Sequence, residues 1–236
     1  MYQYLYTLAA FQAVATSRRG VEESGIRAGY RGTSGRVIIK RLVASFLLAT
    51  VSGTATASAQ VPVAEPELSE FRLSGVTLRR SSYDGVASLE MRMPSSAYQD
   101  PSREKLSDRN FMAWLPLDFQ NGTVEVEVAS DLAPDAPDYA RGFIGLAFRI
   151  DRAGRFESIY LRPTNSMSLD QVRRNHSVQY AAYPDYRFDR LRREAPEKYE
   201  TYAEISTGRW ITMRIVIQGM TATLYLDGSP RPAFVV

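Results

Sequence analysis

The sequence predicts an all-β fold, an antiparallel two-sheet jelly-roll sandwich over residues 71–236. Three observations carry that expectation. Residues 123–129 (TVEVEVA) alternate strictly, placing Val124, Val126 and Val128 on one face and Glu125 and Glu127 on the other. Residues 143–150 (FIGLAFRI) are a short, almost wholly apolar run, as a strand buried on both faces requires. Residues 210–218 (WITMRIVIQ) and 221–226 (TATLYL) are rich in β-branched and aromatic side chains, and Gly219-Met220 between them suits a tight hairpin turn.

The chain ahead of this domain reads as address. Residues 1–36 are rich in Gly, Ser and Arg, show no sustained apolar period, and are expected to be a leader outside the fold. Residues 37–59 have the order of a secretory signal. Lys40 and Arg41 precede the apolar run Leu42–Val51, and Ala57-Ser58-Ala59 forms a small-residue cleavage site. Cleavage after Ala59 would place the protein outside the cytoplasm, secreted or periplasmic. Residues 60–70 read as a proline-containing spacer. No second apolar run approaches the length of a membrane span.

Removing the first 59 residues changes the charge argument. The whole chain has 29 basic and 26 acidic side chains, and seven of the basic and two of the acidic ones lie in that stretch. The remainder is slightly acidic, which argues against nucleic acid as a partner. The absence of cysteine excludes disulfides and thiol chemistry, so an exported domain of this composition depends on the size of its core.

Beyond the three defining segments, Asp227-Gly228 with Pro230 and Pro232 marks a further turn, and residues 189–199 carry one or two helical turns at most. Two irregular stretches, 94–110 and 131–141 (DLAPDAPDYAR), are expected as long loops. Asp131, Asp135 and Asp138 supply oxygen ligands of the kind calcium takes, but their spacing matches no strict calcium loop; a solvated turn is the expectation, with no cofactor. The last residues, Phe234-Val235-Val236, read as the start of an apolar strand. One or two closing strands are then missing; the alternative is a short final edge strand.

Chemistry concentrates in residues 156–180 (FESIYLRPTNSMSLDQVRRNHSVQY). As a strand, FESIYLR puts Glu157 beside Ile159 and Leu161 on one face, and Tyr160 and Arg162 on the other. A carboxylate among apolar neighbours either has a basic partner or titrates high, and the second case suits a general acid. Pro163-Thr164-Asn165 is expected to break the strand and open a loop. Arg174, Asn175, His176 and Tyr180 follow; planar polar groups pair with sugar hydroxyls and tyrosine rings stack on a pyranose face. His176 is the only histidine, so a zinc site is not expected, but it could act as acid or base. The candidate catalytic residues are therefore Glu157 and His176. The candidate substrate-binding residues are Tyr160, Arg162, Asn165, Arg174, Asn175 and Tyr180. Against this stands a structural reading, in which Glu157 pairs with an arginine and the polar run braces a loop. Glu125 and Glu127 are a weaker acid pair, read as the solvated face of a strand. The aromatics of residues 180–202, interleaved with arginines, are either a lid over a sugar site or a loop packed on a sheet.

The segments 121–126, 141–145, FESIYLRPTN, RRNHSVQY, Trp210 and Leu224–Gly228 together resemble secreted bacterial concanavalin A-like lectin/glucanase domains. Within that superfamily they are similar to the "domain of unknown function 1080" group, described as 3-keto-disaccharide hydrolases, and to laminin-G-like jelly rolls. The resemblance covers residues 71–236 and implies a jelly roll with a carbohydrate-facing sheet. It supplies no catalytic set, because the three-acid glucanase strand is incomplete here. The functional expectation is a secreted carbohydrate-binding domain with glycoside hydrolase activity left open. The alternatives are a non-catalytic recognition module and a structural domain without a site.

Overall fold

The computed structural model describes residues 66–236 and, as backbone alone, the strands Leu8–Ala10 (β1) and Val37–Ser45 (β2). The further strands are β3 (Arg72–Ser74), β4 (Thr77–Tyr83), β5 (Val86–Arg92), β6 (Met112–Trp114), β7 (Gly122–Ser130), β8 (Ile144–Phe148) and β9 (Phe156–Leu161). They continue with β10 (Val178–Tyr183), β11 (Glu200–Thr201), β12 (Ile211–Gln218), β13 (Thr221–Leu226) and β14 (Phe234–Val235). Three short helices, α1 (Pro163–Ser166), α2 (Gln171–Asn175) and α3 (Phe188–Glu194), all fall between β9 and β11.

The strands form two seven-stranded sheets, β11-β10-β9-β8-β1-β6-β3 (sheet A) and β14-β13-β12-β7-β2-β5-β4 (sheet B). Pairing is antiparallel except where β1 runs parallel to β6 and β8. This is the all-β sandwich that the period-two pattern predicts. In sheet B the register sets Met213 beside Val126, Ile215 beside both Val124 and Leu224, and Ile211 beside Val128. All of these side chains are buried in the core, as alternation requires of an inward face. The intervening Glu125 and Glu127 face outward, Glu125 with Arg214 3.9 Å away, so this pair is a sheet surface as expected. The hairpin of β12 and β13 turns at Gly219-Met220, as read from the sequence.

The strand β2 lies between β5 and β7, antiparallel to both. Its register shifts once between Ile39 and Arg41, a bulge that sets Leu42 level with Val126 and Arg41 level with Glu127. The first part of the stretch read as a secretory signal is thus a central strand here. The rest of that stretch, nearly all of the leader, and residues 60–65 of the spacer lie outside the described residues. At the other edge of sheet B, Phe234-Val235 pairs with β13 as a short strand.

Sheet A positions the chemistry. Across β8, β9 and β10 the register makes rows of Ile144, Leu161 and Val178, of Leu146, Ile159 and Tyr180, and of Phe148, Glu157 and Ala182. These share one face. The opposite face carries Gly145, Tyr160, Gln179 and Glu200 in one row and Ala147, Ser158 and Ala181 in another. A Cβ at Gly145 would fall 2.4 Å from the Cβ of Tyr160 and 2.5 Å from the carbonyl oxygen of Ile159, so β8 approaches β9 this closely only with glycine there.

Residues 163–176 differ from the open loop expected. Pro163 starts one helical turn, where its missing N–H leaves no bond unmade. Asp170 caps a second turn, its Oδ1 accepting from the amides of Val172 (2.9 Å) and Arg173 (3.3 Å). Turns this short carry no apolar period, which is why the pattern does not disclose them.

Candidate functional site

The candidate residues divide between the two faces of sheet A. Glu157 and Tyr180 share the first face, and Tyr160 and Arg162 belong to the second. His176 lies with Glu200, 3.5 Å from its carboxylate, and Glu200 is in register with Gln179 on that second face. The two candidate catalytic groups, Glu157 and His176, therefore lie on opposite sides of one sheet and do not meet in one cleft.

On the first face, Glu157 stands in an open cleft of about 580 Å³. One wall is Arg149, Glu157, Tyr180, Tyr186, Lys198 and Tyr199; the other is the edge of sheet B around Met220, Thr221 and Val235. Arg149 donates from Nη1 to Glu157 Oε1 (2.9 Å), and Tyr180 donates its hydroxyl to Glu157 Oε2 (2.7 Å). The expected Glu157–arginine pair thus exists, across the turn between β8 and β9. Arg149 also donates to the carbonyl of Gln120 (2.9 Å), the side chain of Asn121 (3.4 Å) and the carbonyl of Gly219, which ties the two sheets together at the cleft. Its φ of 53° lies in the left-handed region, a strained conformation held by those bonds. Burial, reinforced by the adjacent Glu157 carboxylate, pushes the Tyr180 phenol well above its usual range, so it stays protonated and remains the donor. Tyr180 and Tyr199 stack with centroids 5.7 Å apart, and Tyr186, about half exposed, stands nearby.

The second face is closed. Arg162 is fully buried and donates to the carbonyl of His176 (2.9 Å), the hydroxyl of Tyr160 (3.1 Å) and Gln179 Oε1 (3.2 Å). Asn165 donates to the same His176 carbonyl (3.1 Å) and accepts from Arg173 Nε (3.0 Å). Glu200 is held by two bonds from Arg192, 2.8 Å and 2.5 Å, which supply its countercharge. Burial draws the His176 imidazole down to about 4, against the pull of Glu200 and with the help of Arg192 and Arg162, so it is neutral at pH 7. Phe188 of α3 lies over this face, its ring centroid 5.8 Å from the Arg162 guanidinium.

The cover is latched from the loop before β6. The Phe188 amide donates to Asp108 Oδ2 (3.0 Å), Arg187 donates to Ser107 Oγ (2.8 Å), and Lys105 pairs with Asp189 (2.8 Å). Asp108 is buried, its Oδ1 accepts no hydrogen bond, and desolvation raises its carboxyl to about 7.

Of the remaining candidates, Arg174 donates to the carbonyls of Ser168 (2.8 Å) and Leu169 (3.1 Å), bracing the turn between α1 and α2. Asn175 ends α2, and neither residue lines the cleft. In the acidic loop, Asp131 accepts from Tyr83 (2.5 Å) and Asp135 pairs with Arg92 (2.6 Å). Among the described residues no group of three or more His, Cys, Asp or Glu side chains is arranged to hold a metal ion.

The sequence pattern points to Glu157 and Tyr180 and to the aromatic run containing Tyr186 and Tyr199, but not to Lys198, Asp108 or Glu200. Period-two alternation from Tyr199 through Tyr202 was the available signal for Glu200, but a two-residue strand is too short to read.

Fold and site together define an all-β, sandwich-type protein with an aromatic, carboxylate-bearing cleft at the edge between its sheets. Comparison with protein-family models, with curated proteins and with solved structures finds no match for the chain.

Proposed function

We propose that this is a carbohydrate-binding jelly-roll domain of the concanavalin A-like type, whose ligand enters the cleft around Glu157 and Tyr180. The observation that carries the reading is the Glu157 carboxylate, fixed by Arg149 and Tyr180 beside a stacked tyrosine pair. Each carboxylate oxygen accepts one protein donor at hydrogen-bonding distance and keeps acceptor capacity for a sugar hydroxyl. The tyrosines offer apolar ring faces to the C–H face of a pyranose, and a cleft of about 580 Å³ has room for one or two sugar units.

Binding is favoured over cleavage. Glycoside hydrolysis needs two carboxyl groups flanking the scissile bond, about 5–10 Å apart. Among the described residues Glu157 is the only acidic side chain lining the cleft, and His176 is across the sheet. The reading is tested by a glycan-binding and hydrolysis screen on the full chain, with Tyr180→Ala as control. Binding without turnover, lost in that variant, supports it. A blank screen, or binding indifferent to Tyr180, refutes it; turnover would move the protein to the hydrolases.

A further inference from the structure

The charged side chains of the cleft are satisfied internally with one exception. Arg149 and Glu157 neutralise each other, and Arg149 also donates to Asn121, Gln120 and Gly219. Lys198 also lines the cleft and is exposed, and its ammonium has no acidic partner or acceptor among the described residues. It is not loose on the surface: its Nζ lies 5.3 Å from the centroid of the Tyr199 ring, in the geometry of a cation–π contact. Tyr199 is the ring stacked on Tyr180, whose hydroxyl binds Glu157. A cation is thus held beside the aromatic surface on which a sugar would stack, with its hydrogen-bonding capacity unspent.

Resting on the carbohydrate reading above, we infer that the cleft takes an anionic sugar, a uronic acid unit or one bearing a sulfate, with Lys198 as the residue that selects it. A ring stacked against Tyr199 or Tyr180 brings a carboxylate or sulfate on its rim to the ammonium, while its hydroxyls meet Glu157. The carboxylate of Glu157 does not oppose this, because Arg149 compensates it at 2.9 Å. A neutral sugar would fill the same surface and leave the ammonium to water. An exposed ion pair of this kind favours the acidic ligand by roughly two- to five-fold.

The test compares galacturonan and galactan oligosaccharides of equal length by isothermal titration with the full chain, at about 20 mM and about 500 mM salt. The acidic oligosaccharide should bind two- to five-fold more tightly at low salt, and the preference should shrink at high salt, where screening lengths fall to a few ångströms. Lys198→Met keeps most of the aliphatic stem and should bring the ratio close to one; Lys198→Arg should restore it. Equal affinity for both oligosaccharides in the parent overturns this inference and leaves carbohydrate binding standing. An acidic preference that survives Lys198→Met overturns it too, by assigning the selectivity elsewhere. Failure of both oligosaccharides and of every glycan in the wider screen removes both readings together.

Discussion

Asp108 and His176 bind protons with opposite consequences for stability, and a pair of substitutions should separate them. Asp108 has a folded pKa of about 7 against 3.8 for the free group. Its folded value is raised, so its contribution is fully present below pH 3.8 and is lost as pH rises through 7. The shift of about three units corresponds to about 4 kcal/mol at most. His176 has a folded pKa of about 4 against 6.5 for the free group. Its folded value is depressed, so its contribution is present above pH 6.5 and is lost as pH falls through 4, about 3 kcal/mol at most. Between pH 4 and 6.5 the folded chain holds one proton more at Asp108 and one fewer at His176 than the unfolded chain does. The two slopes, each about 1.4 kcal/mol per pH unit, cancel there. Asp108→Asn keeps an acceptor for the Phe188 amide and removes the titration, so it should uncover a rise in stability with pH across that window. His176→Gln should uncover a fall. The assay is urea denaturation at half-unit steps from pH 4 to 8, read as the difference between each variant and the parent so that other carboxylates drop out. Parallel profiles for the parent and Asp108→Asn would refute the buried, partly unsatisfied carboxyl on which the reasoning stands.

Three further outcomes follow from the geometry. Tyr180→Phe removes the donor to Glu157 Oε2 and should cost about 1 kcal/mol of unfolding free energy in urea denaturation, while glycan affinity should fall far less than in Tyr180→Ala because the ring remains. Gly145→Ala forces a methyl into the Tyr160 Cβ and the Ile159 carbonyl and should destabilise by about 3 kcal/mol or more; an unchanged melting temperature would contradict the β8–β9 register. A chain begun at Gln60 lacks β1 and β2, a central strand of each sheet, and should melt at least ~5 °C below the full chain by calorimetry. Equal melting of the two would mean that those strands add nothing to the fold.

Much of sheet B was legible because its strands are long and strictly alternating. The valines of β7 and the β12–β13 hairpin state both the period and the inward face, and Glu125 and Glu127 fall outward as that parity demands. Within β9 the same parity separates Glu157 from Tyr160 and Arg162. What parity cannot give is the register of β10 against β9, and that register puts Tyr180 with Glu157 and leaves Gln179 and Glu200 on the other side. The dense polar run of residues 156–180 therefore reads as one site in sequence and is two environments in space. Asp108 was out of reach for a different reason: its role depends on Phe188, eighty residues away, and on the cover that the two segments form. The helical turns α1 and α2 escaped because one turn has no periodicity, although Pro163 and Asp170 are ordinary starts for them.

Hydrogen–deuterium exchange of the full chain, with and without its best-binding glycan, shows whether a glycan occupies the cleft between Glu157, Tyr180 and Tyr199 as proposed. Occupancy of the cleft should slow exchange at the amides of residues 180–182 and 198–200 and around the β12–β13 turn, with the opposite rim of sheet A unchanged. Protection confined to the segment before β6 and to α3, with none at the cleft, would contradict it.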